Sequence, residues 1–132
     1  MKDIFLVGIG GMAGSIIRYI ISKNISHIYD SFPLGTFAVN IIGCLLAGIL
    51  FKYISLNKEI NIDLSLFLIV GFCGGFTTFS AFTIDSINLL NENKFLLLFS
   101  YTILSSIVGI LFCYIGMIII KWKLKKKYLQ KI

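Results

Sequence analysis

The sequence predicts an all-α membrane protein of four transmembrane helices, with the third helix broken mid-membrane. Three observations carry this. Of 132 residues, 58% are hydrophobic and 14% charged, with a mean hydropathy of +0.94, outside the range of soluble globular chains. Four segments, 4–21, 34–53, 64–90 and 95–120, are apolar over about the 20 residues that a bilayer crossing requires. Inside the third of them, GFCGGFTTFSAFT (71–83) gathers Gly74, Gly75, Thr77, Thr78 and Ser80, residues that a continuous spanning helix has no reason to collect. The connections between segments are short, so 1–132 reads as a single integral membrane domain.

The first segment follows Asp3, contains Arg18 and shows no small-residue cleavage site, which predicts a retained helix and not a signal peptide. Arg18 stands near its end, where the expected use of a long cationic side chain is to snorkel to the interface. Pro33 precedes the second segment, at a place where it leaves the helix intact. Six residues into that segment stands Asn40. Its amide either donates to an anion or bridges to another helix.

Backbone that leaves a helix inside a membrane must be buried in protein or line a polar cavity, and such breaks turn free carbonyls and amides toward ions. GGFTTFS therefore reads as an ion site, with Phe76, Phe79 and Phe82 packed around it. Phe72, Phe76 and Phe79 continue the same side. An aromatic ring is electropositive at its edge, so ring edges together with hydroxyl and amide donors suit a compact, strongly hydrated anion. Asp85 follows two residues after Thr83 and is expected either to pair with a basic group or to cap the restarted helix.

In the fourth segment Tyr101 and Ser105 are four apart and share a face. Thr102, Ser106 and Gly109 form a parallel row. Hydroxyls in spanning helices usually bond back to their own turn, which weighs against a continuous polar track. Small residues at packing spacing occur in every segment: Gly10 and Gly14; Gly43, Cys44, Ala47 and Gly48; Gly71 and Gly75; Ser105, Gly109 and Cys113. Such faces let helices approach closely in lipid. They serve either a second subunit, most simply a dimer, or packing within the chain. Cys44, Cys73 and Cys113 lack metal or disulfide spacing and read as small apolar packing residues. His27 is alone in a loop.

The net charge of +6 is concentrated at segment ends. KWKLKKKYLQK (121–131) contains six lysines, and its position directly after a spanning segment points to the lipid bilayer and not to nucleic acid. Trp122 and Tyr128 fit interfacial anchors. Lys2, Lys52, Lys58 and the six tail lysines fall on one side of a four-span protein. Lys23 and Lys94 fall on the other, with Arg18 if it snorkels there. That bias predicts cytoplasmic termini.

Three motifs, in order, carry a family resemblance: GGMAGSIIRY (10–19), GTFAVNIIG (35–43) and GFCGGFTTFSAF (71–82). The chain resembles the Fluc/CrcB fluoride channels of bacterial membranes, and the resemblance covers all four helices. It implies a fluoride-specific ion channel: four-helix subunits paired as an antiparallel dimer of dual topology, with two fluoride pathways and a central structural sodium ion. It implies that the partner subunit is either an identical or a related chain, and that the protein resides in the bacterial plasma membrane and lets cytosolic fluoride leave passively. Carried over residue by residue, the backbone carbonyls of Gly74 and Thr77 hold the sodium. Asn40, Phe79, Phe82, Tyr101 and Ser105 line the pathway, and Arg18 and Asp85 are structural. Ala81, Gly109 and Cys113 stand where members of the family can carry further hydroxyls.

Two other readings fit a small four-span chain. A small multidrug-type transporter requires a carboxylate deep in the first helix, and here no acid follows Asp3 in that segment. A non-transporting assembly protein has little use for unwound backbone. No paired acids or Cys–His pair suggest an enzyme.

Overall fold

A computed structural model describes residues 1–26, 32–56 and 62–129, the side chains of 124–129 excepted. His27, Lys58 and Lys131 lie outside the described residues. The first span is the helix Lys2–Ser26, the second Leu34–Leu56, and the fourth Phe95–Leu129. The third span, Ile62–Asn91, is interrupted. All four are long and apolar enough to cross a membrane. The helices overrun the apolar segments, most of all the fourth, which continues through the lysine-rich tail because Lys and Leu are good helix formers.

Two ion pairs tie the ends. Lys2 Nζ lies 2.5 Å from Asp63 Oδ2, joining the start of the first span to the start of the third. Between the third and fourth spans, the amides of Glu92, Asn93 and Lys94 donate to the carbonyls of Asn88, Leu90 and Leu89. Asn93 closes this turn in the left-handed region, φ 57°, which Asn tolerates better than most side chains. Lys94 Nζ pairs with Glu92 Oε2 at 2.6 Å.

The second span packs most extensively on the fourth, and the first on the third. The glycines explain both contacts. A Cβ on Gly10 or Gly14 would press into the backbone of Phe67 and Phe72, and one on Gly75 would press into Gly11. Gly48 and Gly116 stand in the same relation to the backbones of Cys113 and Leu45. These small-residue stripes are therefore occupied by helices of the same chain and give no support to a second subunit. The core is narrow: Val39 and Tyr101 are fully buried and Phe76 is 2% exposed, while large apolar side chains cover the outer faces. Cys44, Cys73 and Cys113 are free thiols, Cys73 buried.

This packing yields a contrast within one helix. Gly14→Ala places its methyl against Phe72 and Phe76 backbone, which cannot swing aside, and is expected to cost about 1–3 kcal/mol. Gly8 has nothing within 4 Å of its Cβ position, so Gly8→Ala should be neutral or stabilise by up to about 1 kcal/mol. Equal thermal unfolding midpoints for the two variants in detergent would contradict this packing.

Candidate functional site

The third span departs from regular helix twice. Leu66–Cys73 is π-helical, a wide turn with i→i+5 bonds that recurs at functional sites. A short α-helical piece, Gly74–Phe76, follows, and then the helix stops: Thr77 (φ −80°, ψ 153°) and Thr78 (φ −146°, ψ 116°) are extended. The helix restarts as Phe79–Asn91. The unwound residues are thus the two threonines. Gly74 and Gly75, expected from their low propensity to form the break, are helical, and Gly75 serves close packing on Gly11.

Side chains from two other spans hold the break. Asn40 of the second span makes two bonds to Thr78: its Oδ1 accepts from the Thr78 N–H at 2.8 Å, and its Nδ2 donates to the Thr78 carbonyl at 3.1 Å. The helix-bridging use of this amide is realised, and its second Nδ2 hydrogen is left to the cleft beside it. Arg18 of the first span does not snorkel. Its Nε donates to the Gly75 carbonyl at 3.2 Å, because the interruption exposes a carbonyl within reach of its long side chain. Thr78 caps the restarted helix, its Oγ1 accepting from the Ala81 N–H at 3.2 Å. Asp85 is not that cap, and among the described residues it pairs with no base; its Oδ2 accepts from the Tyr101 hydroxyl at 3.4 Å.

These bonds redirect two donors. In a continuous helix the Thr78 N–H would go to the Gly74 carbonyl and the Ala81 N–H to the Thr77 carbonyl. Here the first goes to Asn40 and the second to the Thr78 side chain. The Gly74 and Thr77 carbonyls, singled out in the sequence, are thereby released from these two helical donors.

The phenylalanines divide at the break. Phe76 is buried and stacks on the half-buried Phe72 (centroids 5.9 Å apart, planes 7°), so these two pack together and do not continue the side of Phe79. Phe79 is 80% exposed. It lies 5.7 Å from Phe82, which lies 5.0 Å from Tyr101. The extended residues reorient the chain between Phe76 and Phe79, which separates side chains that a continuous helix would place on one flank.

Asn40, Cys44, Thr77, Thr78, Phe79, Phe82, Ser105 and Ser106 line a cleft of about 290 Å3. None is a carboxylate. Thr77 and Ser106 donate to the carbonyls of Cys73 and Thr102 in their own turns, as do Thr83, Ser86 and Thr102 to carbonyls four residues back. Ser105 is the exception: its Oγ is buried and has no hydrogen-bond partner among the described residues. Tyr101 sits behind the cleft, fully buried, with its hydroxyl on Asp85. Thr78, Ser106 and Cys44 also line the cleft, although the sequence placed them in the break, in a polar row and among packing residues and not on the pathway. Thr78 was legible as a capping residue before a restarting apolar run.

Comparison with known proteins places the chain among relatives over nearly its whole length. A family model described as CrcB-like protein, Camphor Resistance (CrcB), matches residues 5–117. A fluoride-specific ion channel FluC of Flavobacterium psychrophilum is 43% identical over 122 residues, covering 92% of this chain and 98% of that relative. One from Phocaeicola vulgatus is 43% identical over 117 residues, 88% and 96% of the two chains. One from Helicobacter pylori strain P12 is 37% identical over 132 residues, 97% of each.

Proposed function

The chain belongs to the CrcB-like family, and on that premise we propose that it is a fluoride-specific ion channel, through which cytosolic fluoride leaves a bacterial cell passively and its toxicity falls. It is a multi-pass membrane protein and not an enzyme. The observation that carries the reading is the buried, unpartnered Ser105 hydroxyl in a cleft whose other polar groups include the Asn40 amide. An orphan buried polar group is costly and calls for a ligand. Fluoride must exchange its water for donors. Ser105 Oγ–H, the second Asn40 Nδ2–H and the positive edges of Phe79 and Phe82 supply them. Purified protein in liposomes should release trapped fluoride and retain chloride without ATP or a proton gradient. Equal release of the two anions would defeat the proposal.

The functional unit on this reading is an antiparallel dimer in the plasma membrane, the cleft of each subunit being closed by the other. The exposure of Phe79 supports it, since a lone chain leaves that ring at the surface. A structural sodium ion held by the Gly74 and Thr77 carbonyls would supply a fixed positive charge beside the pathways. Outside its immediate chain neighbours, the nearest heavy atom to the Gly74 Cβ position is the Ile69 carbonyl oxygen at 4.0 Å, an ordinary contact. A first side-chain carbon at Gly74 therefore meets no clash, and Gly74→Val should lower efflux and its sodium dependence, whereas Thr77→Ser keeps the backbone ligand and should be tolerated. Unchanged efflux and sodium dependence in Gly74→Val would remove the ion from this place.

Dual insertion requires a small Lys/Arg bias, and the termini side of this chain carries nine basic residues against Lys23 and Lys94 opposite. Arg18, bonded to Gly75, adds no interfacial charge to the opposite side. We infer that the chain favours cytoplasmic termini and pairs with an oppositely biased related chain. In cells, a C-terminal reporter should then signal only from the cytoplasm, with cellular efflux requiring the second chain, whereas liposomes, into which the purified chain inserts in both orientations, supply the antiparallel pair from this chain alone. Equal signal from both sides, with full cellular efflux from this chain alone, would restore the dual-topology homodimer.

A further inference from the structure

The densest charge in the chain lies away from the cleft, in the part of the fourth helix that runs past its apolar segment. We propose that this extension is a binding surface for anionic lipid headgroups. The helix is unbroken from Phe95 to Leu129, so Lys121, Lys123, Lys125, Lys126 and Lys127 are carried by the same rod that crosses the membrane. Lys127 stands about 10 Å along the axis from Ile120. That distance spans the headgroup layer and stays within about one Debye length of the surface at physiological salt.

The charge of the extension favours a polyanionic partner, and its spacing and Trp122 favour a lipid surface over nucleic acid. No acidic residue occurs after Glu92, so no acid at helical spacing neutralises the lysines. At 3.6 residues per turn the five lysine positions are distributed around the axis and form no single stripe. That arrangement suits a rod surrounded by headgroups and not a face laid into a groove. Trp122, the only tryptophan in the chain, lies between the first two lysines and is 66% exposed, at the level where aromatic residues anchor in the interface.

Trp122 also makes the test direct, since all tryptophan emission arises at this site. The full chain is reconstituted in phosphatidylcholine vesicles containing either brominated phosphatidylglycerol or brominated phosphatidylcholine at equal mole fraction. The brominated anionic lipid is expected to quench Trp122 with an apparent association about threefold or more above the neutral lipid at low salt, the preference vanishing at high salt. The combined variant Lys123→Gln, Lys125→Gln, Lys126→Gln, Lys127→Gln should bring the ratio to one while fluoride efflux is retained. Equal quenching by the two lipids in the unaltered chain overturns the proposal, as does no quenching by either, or a preference that survives the combined variant. A short oligonucleotide that shifts Trp122 emission in neutral vesicles at a lower phosphate concentration than phosphatidylglycerol overturns it in favour of nucleic acid. Free inorganic phosphate reproducing the lipid effect would likewise assign the lysines to a soluble anion.

Discussion

Phe79→Ile and Phe82→Ile are each expected to reduce fluoride efflux from liposomes on the order of tenfold or more, because the loss of one to two kcal/mol of ring-edge interaction changes a rate by about that factor. Isoleucine keeps apolarity and most of the bulk but removes the positive edge. The two variants differ in their structural cost. Phe79 is 80% exposed in the single chain, so its replacement should leave the stability of the chain unchanged. Phe82 lies 5.0 Å from the buried Tyr101 ring, so its replacement should also destabilise by about 1 kcal/mol. Measuring efflux beside thermal unfolding separates these effects. Wild-type efflux from both variants would reduce the rings to packing.

A second large effect is expected at Asn40. Asn40→Ala leaves the Thr78 N–H and carbonyl without their partners, at about 1–3 kcal/mol for each group, and should abolish efflux together with a clear drop in the unfolding midpoint. Asn40→Asp is the sharper variant. It keeps the acceptor for the Thr78 N–H but sets a second oxygen against the Thr78 carbonyl and brings a negative charge into the cleft, unfavourable both for the break and for an anion. Ser105→Ala supplies the contrast: its hydroxyl has no partner to lose, so stability should hold or rise while efflux falls. If Asn40→Ala keeps both stability and efflux, the two bonds to Thr78 do not hold the break.

Local pattern was enough for much of the architecture. Apolar length located four spans, since a bilayer imposes that length whatever the neighbours do. The wrong grammar of 71–83 marked the third span for interruption, and the three ordered motifs pointed to the family. Asn40, Phe79 and Phe82 stand inside those motifs, and the family resemblance added Tyr101 and Ser105 of the fourth segment. Four of them, Tyr101 excepted, line one cleft, and Tyr101 packs on Phe82 behind it.

What the sequence by itself determined, then, was the number and order of spans, the place of the irregular segment and the residue types around it. Tertiary structure decided how each was used. Residue type marked Gly74, Gly75, Thr77, Thr78 and Ser80 together as the break, and of these only Thr77 and Thr78 are extended, because Asn40, 38 residues away, takes both polar groups of the Thr78 backbone. Arg18 reaches the Gly75 carbonyl, 57 residues away, so that its side chain serves the break. The small-residue stripes read alike for one chain or two; only the positions of Gly14 against Phe72 and Gly75 against Gly11 assign them to the chain itself. Ser105 and Ser106 are equivalent in sequence, but Ser106 bonds to its own helix and Ser105 does not. Each of these outcomes depends on a partner from another span, or on the shape of the cleft between spans, and helical period and residue type encode neither.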